Sequence, residues 1–362
     1  MLKDGIMSKT AFNKPLLEID QLHMRIGSVK PVRGVSLRIH EGETHAIVGE
    51  SGCGKSMTAL ALMGLQPRQA ELSVGRWSFA DKRVDYDSEA YWRDIRRNDM
   101  AMIFQNPMAS LNPTTRIGSQ IAEVIQVKDG LSKSEALKQA VDLLDLMQIR
   151  QAALRAKQYP FELSGGMLQR AMIAMAMARK PKLLIADEPT TALDATVQAE
   201  VLQLLKNLQS DTGMSLLIIS HDLSVVAQLA DRVSVMYAGE IVEQATADAL
   251  FSKQAPQTQV PRHGDERRKL YRNPPYTQAL KDAVPSLKNN SNEPLASIEG
   301  QPPDLRGAIA GCAFIERCPS AMKCCEAKPE GFQLARNREQ DHTVKCWMQH
   351  SDYIAKFGGI NG

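Results

Sequence analysis

A short apolar strand pattern, Thr44-His-Ala-Ile-Val48, runs straight into Gly49-Glu50-Ser51-Gly52-Cys53-Gly54-Lys55-Ser56, and a helical pattern follows at once, opening at Met57 and reaching about Leu65. This is G-x-x-x-x-G-K-[ST] in strand–loop–helix context, a P-loop. The glycines let successive backbone N–H groups turn toward phosphate oxygens, and the helix start adds a positive dipole end. Lys55 is suited to neutralise β/γ-phosphate charge, and the Ser56 hydroxyl to ligate Mg²⁺. Read alone, the eight residues could be a tight turn with an exposed lysine; the strand before and helix after count against that.

The rest of the chain supplies the matching scaffold. LLEI, VSLRI and THAIV read as β-runs before the loop, and MAMIF (Met100–Phe104) after it. From Ile117 to about Gln158 the pattern is helical, with Leu137, Val141, Leu144 and Met147 on one face. Residues 166–179 form another helical pattern, with Arg170 and Arg179 at its polar margins. KLLIA, Ala195–Leu208, SLLIIS, Leu223–Ala230 and RVSVMY then alternate strand and helix, which predicts a mostly parallel sheet flanked by helices. KLLIA and SLLIIS are continuous apolar runs, as buried parallel strands require. The alternation ends near Phe251. A polar stretch over 252–275, carrying Asp265–Lys269 (DERRK), reads as an exposed linker, and a second Pro/Asn/Ser-rich link covers 285–303.

Bulk properties narrow the class. Among 362 residues, 44 Lys+Arg nearly balance 41 Asp+Glu, so no electrostatic case for nucleic acid arises. No run approaches the roughly 18 apolar residues of a membrane helix. The N-terminus MLKDGIMSKTAFNK lacks a signal-peptide core, and a cytoplasmic location is expected. Cys53 stands alone, whereas Cys312, Cys318, Cys324, Cys325 and Cys346 crowd the C-terminal region. In a reducing compartment that crowding favours metal or cluster ligation over disulfides.

Further motifs carry chemistry. In Leu183-Leu-Ile-Ala-Asp187-Glu188, four apolar residues place Asp187 at the end of a buried strand, where it can hold Mg²⁺ through water. Glu188 is then positioned to orient or deprotonate an attacking water. Leu163-Ser164-Gly165-Gly166-Met167 precedes a long helix and reads either as a second anion-ready helix start or as a plain N-cap.

Taken together these motifs resemble the ATP-binding cassette of ABC proteins over about residues 16–255. LSGGM resembles the signature LSGGQ, departing at Met167. Gln105 in MIFQNP resembles the Q-loop glutamine, a further contact for Mg²⁺. Ala192-Leu193-Asp194 resembles the D-loop, and His221 in IISHDL the switch histidine. The resemblance implies ATP and Mg²⁺ as ligands and a P-loop ATPase fold with an antiparallel edge subdomain and a helical insertion at about 106–165. It also implies a trans-assembled site, in which ATP is clamped between one subunit's P-loop and Ser164, Gly165 and Gly166 of a second cassette, with Asp194 near the junction. The position of the adenine-stacking aromatic falls on Ile26.

Gln105-Asn-Pro-Met-Ala-Ser-Leu-Asn-Pro113, Asn273-Pro-Pro-Tyr276-Thr277-Gln-Ala-Leu280 and a tail opening Gly311-Cys312 with Arg317-Cys318-Pro319 resemble the oligopeptide/dipeptide/nickel importer ATPases in particular. The stretch between Phe251 and Pro275 is longer than that resemblance leads one to expect. The resemblance implies two transmembrane permease subunits, an extracytoplasmic solute-binding protein, and a peripheral place on the cytoplasmic face of the membrane. The transported solute is left open: the cysteine tail resembles peptide-type members, and YPFELSGGM resembles nickel-type members. Organisation is expected as a cassette (16–255), a linker with PYTQAL (256–303) and a Cys-rich extension (304–350). Cys312, Cys318, Cys325 and Cys346 can hold a [4Fe–4S] cluster or zinc, or remain free thiols; the resemblance favours the iron–sulfur cluster. A soluble ABC ATPase acting on nucleic acid is disfavoured by the single cassette, near-neutral charge and absence of heptads.

Overall fold

Buried strands and the helices between them set the architecture. A computed structural model describes residues 14–191, 193–251, 273–283, 297–333 and 342–349. The chain opens with long strands β1 (Pro15–Ile26) and β2 (Val29–His40), then β3 (Thr44–Val48) and helix α1 (Lys55–Leu62). Short strands β4 (Ala70–Ser73), β5 (Arg76–Phe79) and β6 (Lys82–Arg83) lead to α2 (Glu89–Asn98) and β7 (Met100–Ile103). A helical block follows: α3 (Pro107–Ser110), α4 (Ile117–Asp129), α5 (Lys133–Leu146), α6 (Ala152–Arg155) and α7 (Gly165–Met177). Next come β8 (Leu183–Asp187), α8 (Ala195–Thr212), β9 (Ser215–Ser220), α9 (Leu223–Leu229), β10 (Arg232–Tyr237), β11 (Glu240–Thr246) and α10 (Ala247–Phe251). The C-terminal part has α11 (Pro275–Asp282), β12 (Phe332–Gln333) and β13 (Thr343–Val344). The predicted linker over 252–272, the DERRK run within it, most of the 285–303 link and Ala192 lie outside the described residues.

The chain forms two units. The first comprises the described residues up to Asp20, Ser36–Thr44 and Gly75–Leu217. In it β7 and β8 pair in parallel, Ile103 opposite Ala186, and every residue of β8 is buried. Antiparallel pairing of β1 with β5 sets Leu17 opposite Phe79. The helical block packs α4 on α5 and α5 on α7. The buried line of α5 is Ala136, Ala140 and Leu144, continued by Met147; Leu137 and Val141 are only half-buried. Small alanines let the helices approach, a role the apolar pattern does not advertise.

One sequence expectation fails here. Arg170 does not sit at a polar margin: it is 8% exposed, with its guanidinium donating to the Met147 carbonyl at 3.1 Å and to Glu200 at 2.6 Å. Arg179 likewise is half-buried and donates to the Arg96 carbonyl. The two arginines close helix ends and tie elements together, so neither face of α7 is free for water.

The second unit comprises Gln21–Val35, His45–Val74 and the described residues from Ile218 onward. Here β3 and β10 pair in parallel (Val48 opposite Val235), β10 and β11 pair antiparallel, and β13 and β12 extend that edge. Its core joins Val48, Val235 and Tyr237 of the sheet to Tyr276 of α11 and Phe314 of the Cys-rich region. The three aromatic rings lie 4.5–5.3 Å apart, within the range of favourable edge and tilted contacts.

Candidate functional site

The candidate nucleotide residues divide between the units. In the second, β3 is buried along its whole length and delivers the chain to Gly49. Gly49, Gly52 and Gly54 have φ of 154°, 77° and 106°, so the loop curls through conformations that favour glycine. Close packing forbids a side chain at two of them. A Cβ at Gly49 would stand 2.2 Å from the Met236 carbonyl oxygen, and one at Gly54 would stand 2.2 Å from that of Pro31. Gly54 caps α1 with no side-chain partner, leaving the first N–H groups of the helix turned toward the loop.

Lys55 is 4% exposed, and its ammonium donates to the carbonyls of Gly49 (2.8 Å) and Glu50 (2.9 Å). The charge is thereby folded over the loop it would share with a phosphate. Ser56 and Met57 follow on the first turn of α1, half-buried. Burial pushes the Cys53 thiol up, which suits a small packing residue within the loop. Ser51 and Gly52 are exposed at the tip. The Glu50 N–H donates to the Tyr276 hydroxyl at 3.0 Å, and the Glu50 carboxylate pairs with Arg317. His221 is exposed in the turn between β9 and α9, where Asp222 caps the helix by accepting from the Ser224 N–H.

In the first unit, Asp187 is the last residue of β8 and 6% exposed, as the apolar run predicts. Glu188 then takes φ of 47°, a left-handed conformation that aims its side chain out of the strand line. Its Oε2 accepts from Gln105 Nε2 at 2.8 Å and from Thr191 Oγ1 at 2.9 Å. The structure thus brings together the Q-loop glutamine and the candidate base, two residues 83 positions apart. Ser164 caps α7 by accepting from the Met167 N–H, and Asp194 caps α8 by accepting from Thr196 and Val197. Gly166 faces α8 closely: a Cβ there would meet Val197 Cγ1 at 2.7 Å. Signature glycine and D-loop helix therefore interlock. Thr191 is the one contributor to this cluster that sequence reasoning missed; a hydroxyl three residues past Glu188 was the available signal.

The Cys-rich part belongs to the second unit. Cys312, Cys318, Cys325 and Cys346 line one cavity, while buried Cys324 packs beside Cys325 and Trp347. The Cys312 N–H donates to the Cys325 carbonyl at 2.8 Å, and all the cysteines are free thiols. Lys328 and Lys345 line the same cavity with Glu240. Glu240 is shared by Arg33 (3.0 Å), Lys328 (2.9 Å) and Lys345 (3.7 Å), so cations outnumber the carboxylate. Four thiols beside a surplus of positive charge fit an anionic thiolate-bound cluster. As they stand, no three His, Cys, Asp or Glu side chains among the described residues are grouped to hold a single metal ion. The hard-oxygen set expected for Mg²⁺, the Ser56 hydroxyl and the Asp187 carboxylate, suits that cation.

Comparison with known proteins agrees with this inventory. A family model described as ABC transporter matches residues 32–191, and one described as oligopeptide/dipeptide transporter, C-terminal region, matches residues 265–325. The dipeptide transport ATP-binding protein DppD of Bacillus subtilis (strain 168) is 44% identical over 352 residues, 96% of this chain and 98% of the relative. The oligopeptide transport ATP-binding protein OppD of the same organism is 44% identical over 343 residues, 93% of this chain and 90% of the relative. Among solved structures, the ATP-binding cassette MJ0796 in a post-hydrolysis dimer bound to ADP and Pi superposes with a TM-score of 0.58 at 26% identity, covering 64% of this chain and 98% of that one. Among the described residues no helix is long and apolar enough to cross a membrane. With a P-loop on a buried strand, an acidic pair at the end of β8 and relatives matched almost end to end, the chain belongs to the ABC transporter family as an ATPase of its oligopeptide/dipeptide ATP-binding branch.

Proposed function

We propose that this chain powers the import of di- or oligopeptides, converting ATP binding and hydrolysis into movement of a membrane permease made of other chains. The observation that carries the reading is the Gln105–Glu188 contact beside Asp187, at the end of a buried strand in a chain with an intact P-loop. Peptide is favoured over nickel by the C-terminal family match and by the names of the relatives.

The P-loop N–H groups from Gly49 to Met57 would bind the phosphates, with Lys55 swinging from its loop carbonyls onto the β/γ oxygens. Ser56, Asp187 and, through water, Gln105 would hold Mg²⁺, which when bound neutralises charge developing on the γ-phosphate. Glu188 acts as general base on the attacking water, oriented by Gln105 and Thr191, and His221 contacts the γ-phosphate. Ser164, Gly165 and Gly166 of a second cassette would close the site in trans, with Asp194 lining the dimer junction. Gln105 opens the helical insertion (about 106–165), which grips a cytoplasmic helix of the permease and reports nucleotide state to it. Two permease subunits and an extracytoplasmic binding protein complete the machine, and the chain works on the cytoplasmic face of the membrane. Within the 304–350 extension, Cys312, Cys318, Cys325 and Cys346 would hold a [4Fe–4S] cluster, which when bound staples a segment with little apolar core of its own.

The test is reconstitution of the chain with its permease and binding protein in vesicles. Mg-ATP hydrolysis coupled to uptake of a labelled peptide is the expected result. Hydrolysis that is stimulated by Ni²⁺-loaded but not peptide-loaded binding protein overturns the solute, and co-purification with nucleic acid in place of permease overturns the class.

A further inference from the structure

Arg317 belongs to the Cys-rich extension, one residue before Cys318, yet its guanidinium ends on the P-loop. It makes a two-pronged pair with Glu50, Nη1 to Oε2 at 2.7 Å and Nη2 to Oε1 at 2.9 Å. The remaining donors are also used: Nε on the Glu299 carbonyl (2.8 Å), Nη2 on that of Ile298 (3.0 Å) and Nη1 on the Tyr237 hydroxyl (3.2 Å). An arginine carries five N–H donors in a fixed fork, and here all five have partners. The side chain is 4% exposed and lies over the rings of Tyr237 and Phe314 at 5.8 and 5.7 Å. Planar, fully bonded and stacked, it cannot swing.

Glu50 is therefore held from two sides, its N–H by the Tyr276 hydroxyl and its carboxylate by Arg317. Nearby, Pro302, Pro303 and Leu305 line a small cavity with Glu50, Ser51, Gly52 and Cys53, and the Leu305 carbonyl accepts from the Lys30 N–H at 2.9 Å. All these contacts converge on the first half of the loop, between the strand end and Gly54. We infer that Arg317 is a positioning residue for nucleotide binding: through Glu50 it sets the P-loop in phosphate-ready shape, making the Cys-rich extension a working part of the ATP site. A plain anchor would hold the extension in place without altering how the loop meets phosphate.

The inference rests on the reading of residues 49–57 as the nucleotide site, and wild-type binding separates the two. Mg-ATP dissociation constants are measured on the full chain by equilibrium dialysis, beside thermal midpoints, for wild type, Arg317→Ala, Arg317→Lys, Glu50→Gln and the Arg317→Ala/Glu50→Gln double variant. Loss of a charge-assisted two-pronged bond is expected to weaken binding about tenfold in either single variant. Lysine, keeping charge but not the fork, should recover part of it. The double variant should bind no more weakly than the poorer single one. A wild type that binds no ATP removes the nucleotide site itself. A folded Arg317→Ala protein binding within twofold of wild type, or losses that multiply in the double variant, overturns the coupling. Should Arg317→Ala not fold, Glu50→Gln, which keeps the loop's size, decides on the same twofold criterion.

Discussion

Gln105 Nε2 donates to Glu188 Oε2 across 2.8 Å, joining the residue that opens the helical block to the residue that follows the buried acidic strand end. Thr191 Oγ1 reaches the same oxygen at 2.9 Å. Glu188 also holds a φ of 47°, a conformation that costs a non-glycine residue on the order of 1 kcal/mol or more and persists only where surroundings impose it. Here β8 fixes the backbone before it and two donors fix the side chain beyond it. The carboxylate is pinned where its direction matters, as a base that must face one water requires.

That arrangement predicts a separation of binding from turnover. Glu188→Gln keeps size and hydrogen bonding but removes the base, so ATP should still bind while steady-state phosphate release falls at least ~10²-fold. Gln105→Ala removes one of two orienting donors and should lower the rate less, by roughly tenfold. Turnover of the Glu188→Gln subunit near the wild-type level would take Glu188 out of its role.

Gly54→Ala tests the loop from another side. The new Cβ would meet the Pro31 carbonyl oxygen at 2.2 Å, a backbone atom that cannot be turned away, at a φ of 106° that alanine resists. The loop must then deform. Expected is loss of measurable ATP binding together with a drop of about 2 kcal/mol or more in unfolding free energy. Gly52→Ala is the contrast: nothing stands within 4 Å of its Cβ, so only the φ of 77° opposes it and the stability loss should be about 1 kcal/mol.

Legibility in the sequence followed chemistry and periodicity. Strand β3, the P-loop and α1 were readable because glycines, a lysine and a hydroxyl at fixed spacing have one good structural use. Strands β8 and β9 were readable as apolar runs. The edge strand β11 was missed because its turn, Ala238-Gly239, follows an apolar run without a break, and its polar Glu240 and Glu243 are buried in ion pairs. Helix α2, whose Trp92 and Ile95 are its only buried residues, was missed for want of an apolar stripe. Arg170 looked solvated because charge usually is; its partners, the Met147 carbonyl and Glu200, are contributed by separate helices that no local pattern relates. The Glu50–Arg317 pair spans 267 residues and was invisible for the same reason.

Arg170 itself yields a stability prediction. Its fork binds the C-terminal carbonyl of α5 and the Glu200 carboxylate of α8, and Glu200 is largely exposed, so the ion pair adds little. The carbonyl contact and the buried stem matter more. Arg170→Ala should cost about 2 kcal/mol in chemical denaturation, and Glu200→Gln less than about 1 kcal/mol. Equal losses would mean that the ion pair dominates after all.

The thiols give a pH dependence with a definite sign. Burial pushes Cys312 up to about 11 and Cys346 up to about 12, and Cys318 upward as well, from an ordinary value of 9.0. In protein prepared without metal, these groups bind protons more tightly folded than unfolded. Their contribution is complete below pH 9 and is lost as pH rises from 9 toward 11–12. The metal-free protein should therefore lose thermal stability between pH 8.5 and 10.5. Ligation needs thiolates, so metal or cluster uptake must release protons, and its affinity should rise with pH across the same range. Loaded protein should show a flatter stability profile there, since its sulfurs carry no protons to lose. Thermal midpoints of chelator-treated and loaded protein at both pH values, alongside iron and zinc analysis, check this. Parallel profiles for the two preparations would mean that the four cysteines do not ligate, and stoichiometric zinc without iron would replace the cluster by a single ion.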